Sequence, residues 1–349
     1  MNGRNEKILK KCEEVTTAIL KFRATVPLKV LSVVEHMDKK LEDFPDTFIK
    51  ALQDMNLKPS DLRLLTPKNN PLDEIKKMLG SRTGGMVSIE PNINLIASHY
   101  VPGTFSWLED HTEYHKWFQG QTTPFLCVSG VQGTGKSYFA YHCHQMIQET
   151  TRHRRLTADV IKTRQAVSVA CWFFDSGRPE TQSLQSAVSS LIVQIATQDT
   201  KFRDAIAKDI SKTGRADKSR KPEAAELWRA FLYTKLERTT ETSRLVYILL
   251  DGVDSLDEID SQTLLGLLRD LNCDKTGIQV MMTGHPDKLK EMKLQLSCNI
   301  DLPEETMKHR DLEKIIDYRI NKSENLSGFT LENLETIRKS LGLKSKGMF

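Results

Sequence analysis

The six cysteines, Cys12, Cys127, Cys143, Cys171, Cys273 and Cys298, include no Cys-x-x-Cys pair. Cys127, Cys171 and Cys298 lie in or beside apolar, strand-like segments, so reduced and mostly buried thiols are expected instead of a disulfide framework. Long apolar runs are missing as well. None approaches the roughly 20 residues that a membrane-spanning helix needs, and the N-terminal MNGRNEKILKKCEE has no apolar stretch of the signal-peptide kind. These absences predict a soluble, cytoplasmic chain without a membrane span. Nor is there a large excess of one charge: the net charge is +4 with 28% charged residues, which argues against a nucleic-acid surface covering the molecule. Two basic stretches, 152–164 and 201–221, lack an interleaved set of aromatic stacking residues and read as solvated loops and helix ends. No repeat with a period of 20–50 residues is visible, which excludes a solenoid or propeller.

With 349 residues, of which 39% are hydrophobic, the chain has room for two or three domains at roughly 100–200 residues each. Residues 1–66 read as a small helical region, with Ile8, Val15, Ile19 and Phe22 as the first of three apolar sets at helical spacing. Residues 67–99 are rich in Pro, Asn and Gly and read as a linker, with the domain boundary near residue 95. Over 100–325 short apolar runs alternate with amphipathic ones. Strands are expected at Phe125 to Ser129, Val167 to Phe174, Leu245 to Leu250, Ile278 to Thr283 and Asn299 to Leu302. The stretch 181–198 reads as a helix with Leu184, Val188, Leu191, Ile192 and Ile195 on one face. The pattern predicts an α/β fold: a parallel sheet of about five strands with helices on both faces. Residues 326–349 read as a C-terminal tail.

One segment carries chemistry. FLCVSGVQGTGKSYFAYH contains Gly130, Val131, Gln132, Gly133, Thr134, Gly135, Lys136 and Ser137 in the order Gly-x-x-x-x-Gly-Lys-Ser, after an apolar strand and before a helix. Glycines let backbone N–H groups approach phosphate oxygens, and the helix N-terminus favours the anion. Lys136 is expected on the β- and γ-phosphates of ATP or GTP, and Ser137 on Mg²⁺. The apolar run LVYILL ends at Asp251, the expected second Mg²⁺ residue. Asp254 is a candidate for orienting water or metal, or equally the N-cap of a helix before Leu256. Thr283 and His285, at the tip of a third strand, are candidates for sensing the γ-phosphate, although His285 could equally be a surface histidine before a proline. The histidines of HTEYH (His111 and His115) lack the Glu a zinc protease needs after the first His. His142, Cys143 and His144 are adjacent on one helix and point apart.

Together these residues resemble a known family. Gly103-Thr104-x-x-Trp107-Leu108, Trp117 and the phosphate loop look like the opening of the nephrocystin-like N-terminal domain of fungal NACHT-type STAND NTPases. The resemblance extends through Ala170 to Phe174, Leu184 to Ser186, Asp251-Gly252-Val253-Asp254, Thr283 to Pro286, and Ile300-Asp301-Leu302 with an expected helix from Asp311 to Ile320. It implies a nucleotide-binding signalling switch, slow or absent NTP hydrolysis, self-assembly or protein partners, and a role in fungal non-self recognition or cell death. It also implies downstream winged-helix and repeat regions, so this sequence is expected to lack a ligand-sensing array. Two departures stand out. Ser255 replaces a second acid and His285 replaces an Arg, which weakens the expectation of rapid hydrolysis. A non-hydrolysing interaction module and a metabolic P-loop ATPase or kinase are the competing readings.

Overall fold

Apolar strands flanked by polar turns can all be satisfied at once by stacking side by side and covering both faces with helices. The computed structural model describes residues 71–345, apart from 84–85, 121–122, 158–165, 214–222, 237–243, 272–275, 293, 295–296, 324–325 and 327–328. The helical region expected over 1–66 and the loop ends of both basic stretches lie outside the described residues.

Five strands form one parallel sheet: β1 (Phe125–Ser129), β2 (Ala166–Phe173), β3 (Arg244–Asp251), β4 (Ile278–Gly284) and β5 (Cys298–Asp301), in the spatial order β2-β3-β4-β1-β5. Every strand expected from the sequence is present. The described helices are α1 (Pro71–Thr83), α2 (Glu90–His99), α3 (Thr112–Phe118), α4 (Lys136–Thr157), α5 (Leu184–Gln198), α6 (Thr200–Thr213), α7 (Ala224–Leu227), α8 (Glu258–Arg269), α9 (Pro286–Met292), α10 (Leu302–Lys308), α11 (Asp311–Lys322) and α12 (Leu331–Ser345).

Strand alternation splits the core between the two faces. Val246, Ile248 and Leu250 of β3 join one apolar cluster, with α1 and α5 to α8. Leu245, Tyr247 and Leu249 join the other, with Trp107, Trp117 and the Phe139, Ala140 and Cys143 face of α4. The expected stripe on α5 (Leu184, Val188, Leu191, Ile192 and Ile195) is buried throughout. At about 1.5–3 kcal/mol for each large apolar side chain, this double-sided burial holds the sheet. Cys127, Cys143, Cys171 and Cys298 are free and buried.

Three expectations need correction. The stretch read as a linker over 67–99 contains α1 and α2. Ile75 and Leu79, one helical turn apart, are fully buried in the core, and Pro91 sits in the first turn of α2. Proline there marks a helix start as readily as a linker. The basic stretch from 201 begins as α6, with Phe202 and Ile206 buried. The expected tail carries α12, which is joined to α11 by an Arg338–Asp317 ion pair. Among the described residues no helix is long and apolar enough to cross a membrane.

Candidate functional site

The strand order places β4 between β1 and β3, so the loops after β1 and β3 rise beside the tip of β4. Register makes this specific. Val128 of β1 pairs with Thr283, and Leu250 of β3 pairs with Met282. Thr283 therefore stands next to Asp251, and the phosphate loop begins where the Gly130 N–H donates to the Gly284 carbonyl at 3.2 Å.

Within the loop, Gly133 and Gly135 have φ of 83° and 85°, in the left-handed region where a side chain is strained. A Cβ on Gly130 would come within 2.4 Å of Thr134 Oγ1. Thr134 itself is buried, and its hydroxyl donates to the Val131 carbonyl at 2.8 Å. The Lys136 ammonium donates to the carbonyls of Gly130 (2.8 Å) and Val131 (3.0 Å). It is held over the loop that a phosphate would occupy.

Ser137 and Asp251 meet. The Ser137 hydroxyl donates to Asp251 Oδ2 at 2.6 Å, and the Thr283 hydroxyl donates to Asp251 Oδ1. Gly252 N–H donates to Thr283 Oγ1 at 3.0 Å. Asp251 is only 3% exposed. Burial pushes its carboxyl above the ordinary carboxylate range, opposed by the hydrogen bonds from Ser137 and Thr283 and by the Lys136 charge. Gly252 turns the chain at φ 72°, where a Cβ would lie 2.6 Å from the Phe174 carbonyl. A buried carboxylate beside a hydroxyl is a fitting donor pair for a hard cation such as Mg²⁺. Among the described residues no cluster of three or more His, Cys, Asp or Glu could hold a metal.

A cavity of about 660 Å³ opens over this arrangement, lined by Gln132, Gly133, Gly135, Lys136, Ser137 and Asp251 among others. Asp254 and His285 also line it. Asp254 sits in the turn Val253–Ser255, and the N-cap of α8 is Asp257, whose side chain accepts from Asp260 N–H. The N-cap alternative for Asp254 is therefore wrong. The Asp287 N–H approaches His285 Nδ1 at 3.4 Å, and the His285 side chain is 43% exposed. Thr283 is fully buried and does not line the cavity. It orients Asp251, which corrects its expected place as a contact for the γ-phosphate.

Sequence reasoning missed other walls of this cavity: Asn92, Leu95 and Ile96 of α2, Tyr138 of α4, and Asp175 and Arg178 in the turn after β2. The polar run Asp175-Ser176-Gly177-Arg178 at the carboxyl end of a parallel strand was the available signal, because ligands gather at such ends. Nothing in the sequence of α2 signalled its place.

The histidines set aside earlier have other partners. His111 lies 3.9 Å from Glu305, and His115 meets the Glu109 carbonyl. His142 Nδ1 is 2.7 Å from the Tyr100 hydroxyl.

The family described as Nephrocystin 3, N-terminal matches residues 103–285, just over half of the chain. The matched span runs from the Trp107 segment through the phosphate loop and Asp251 to His285. No curated protein matches the chain. Two solved structures are similar at 14% identity. One is Cdc6p from Pyrobaculum aerophilum, with a TM-score of 0.31 over 65% of this chain and 54% of that one. The other is Drosophila ORC bound to DNA, with a TM-score of 0.33 over 89% of this chain and 66% of that one. The chain thus spans less than two thirds of the length of either, and likenesses this low have no bearing on function.

Proposed function

The chain belongs to the Nephrocystin 3, N-terminal family, and from that premise we propose that it is a nucleoside triphosphate-binding signalling switch of the NACHT/STAND type. It takes ATP or GTP with Mg²⁺ and hydrolyses it slowly or not at all. The observation that carries this reading is the convergence of Lys136, Ser137 and Asp251 beneath one cavity.

Each side chain has a task. Lys136 exchanges two carbonyl partners for phosphate oxygens. Ser137 and Asp251 would hold Mg²⁺, which when bound neutralises phosphate charge and orients the γ-phosphoryl group. Thr283 and the Gly252 N–H keep the Asp251 carboxylate aimed at Ser137. Asp254, a second acid on the cavity wall, is the one we assign to orienting a water. Ser255 stands where a second acid would be, and this favours retention of the triphosphate over rapid turnover. A bound triphosphate can hold one of two arrangements of a domain by such contacts. In this reading protein partners or self-assembly receive the signal, and the protein acts in the cytoplasm of a fungal cell.

Phosphate release measured alongside binding tests the proposal. The expected outcome is saturable binding of Mg²⁺-ATP or Mg²⁺-GTP with turnover well below the 1–100 s⁻¹ typical of kinases. Fast turnover stimulated by a small-molecule acceptor would favour a metabolic enzyme. Absence of binding would leave an interaction module.

A further inference from the structure

The phosphate cavity has a second strong cation, supplied from outside the loop and Asp251. Arg178 lines the cavity together with Lys136, Ser137 and Asp251. Its turn is fastened to the Asp251 strand, since Phe174 N–H donates to the Asp251 carbonyl at 2.9 Å and Gly252 leaves room for the Phe174 carbonyl. Within the turn, Gly177 N–H donates to Asp175 Oδ1 at 2.8 Å, and the Arg178 carbonyl accepts from the Thr181 hydroxyl at 2.8 Å. The backbone that presents Arg178 is thus built rather than loose.

The guanidinium looks two ways. Its Nη1 donates to Asn92 Oδ1 of α2, and its Nε lies 3.5 Å from Asp175 Oδ2. Asn92 is buried at 9% exposure, and Leu95 and Ile96, one turn further along α2, line the same cavity. Three carboxylates also face it, Asp175, Asp251 and Asp254, so Lys136 alone leaves the wall short of positive charge for a polyanion. At the tip of β4, His285 is half-exposed and engaged with Asp287.

We infer that Arg178 is the cation that registers the terminal phosphate, and that its tether to Asn92 makes α2 the element that responds. The inference rests on the triphosphate reading above and adds to it a sensor and a route. A guanidinium presents five donors in a planar fork suited to phosphate oxygens. Turning toward a γ-phosphate gives it a partner that competes with Asn92 and Asp175. A diphosphate offers nothing at that position, and the Arg178–Asn92 contact persists. Nucleotide state is thereby converted into the presence or absence of one hydrogen bond to α2.

Arg178→Gln tests this while retaining an amide donor for Asn92, and Arg178→Lys retains the charge. Calorimetry with Mg²⁺-ATP and Mg²⁺-ADP, and with the guanine pair, should show a loss of triphosphate affinity of about 10- to 100-fold in Arg178→Gln. Diphosphate affinity should change by less than about 3-fold, and Arg178→Lys should recover part of the loss. Hydrogen exchange on the unmodified protein should report different protection of the α2 amides with triphosphate and diphosphate, a difference absent in Arg178→Gln. Equal losses for both nucleotides, or unchanged triphosphate affinity in a variant with an unaltered melting curve, would overturn the inference and leave nucleotide binding intact. If the unmodified protein bound neither nucleotide, the broader reading itself would fall.

Discussion

At the scale of single residues, Asp251 carries a conflict between stability and function. Its carboxylate is buried, and burial raises its pKa. A group whose folded pKa is raised favours the folded state most below its unfolded pKa, and loses that contribution as pH rises through the folded value. At neutral pH the charged form is thus a burden on the apo protein that a bound cation would offset. Asp251→Asn should melt at the same temperature as the parent or higher without nucleotide, and should lose the stabilisation given by Mg²⁺-ATP or Mg²⁺-GTP. A variant that melts lower and still gains stability from the Mg²⁺ nucleotide would contradict this role. Lys136, Ser137 and Asp251 were legible in the sequence because phosphate and Mg²⁺ demand those residue types in that local context. The part played by Thr283 was not. Whether a strand-tip hydroxyl faces the ligand or the neighbouring carboxylate depends on the register of β4 against β3, which no local pattern states. Arg178 escaped notice for the same reason, because its place beside Asp251 follows from the pairing of β2 with β3.

At the scale of elements, the most informative surprise is how edge strand β2 is closed. Its outer backbone groups would be open to another chain. Two glutamines of α5 take them instead. Cys171 N–H donates to Gln194 Oε1 and Gln194 Nε2 donates to the Cys171 carbonyl, both at 2.9 Å. Gln198 repeats the pattern on Val169, at 3.1 and 2.6 Å. The apolar face of α5 was readable from its periodicity, whereas these amides looked like ordinary polar positions. Gln194→Leu should lower stability by about 1–3 kcal/mol by stranding two backbone groups, read as a shifted urea midpoint. An unchanged midpoint would show that solvent already serves those groups.

Helix α4 gives the fold an acid limit. His142 and His144 are pushed down to about 4 from their ordinary 6.5, chiefly by burial. Lowered histidines contribute stability that is complete above about pH 6.5 and is lost as pH falls toward 4, because the unfolded chain takes up protons that the folded chain refuses. The loss should approach about 3 kcal/mol per histidine. Melts across that window should show the decline, and a His142→Gln/His144→Gln variant should flatten it. An equally steep decline in the variant would assign the acid limit elsewhere.

At the scale of the whole molecule, the chain closes on itself through the segment that carries the family resemblance. Trp107 Nε1 donates to Asp311 Oδ2 at 2.8 Å, and Phe105 N–H reaches the same oxygen at 3.1 Å. The Trp107 turn is therefore tied to α11, beyond the span matched to the family. The number of strands and their positions were legible, since parallel strands buried on both faces are continuous apolar runs. The order β2-β3-β4-β1-β5 was not, because adjacency in the sheet leaves no local trace. That order brings the loops after β1 and β3 to one side and forms the cavity.

If Lys136, Ser137 and Asp251 form one site for a Mg²⁺-bound triphosphate, removing the lysine must remove binding. Titrating Mg²⁺-ATP and Mg²⁺-GTP into the full chain and into Lys136→Ala by calorimetry tests it most directly. Saturable binding of at least one of the two by the parent is expected, with that heat abolished in a Lys136→Ala protein that remains folded. Equal binding by both proteins would contradict it.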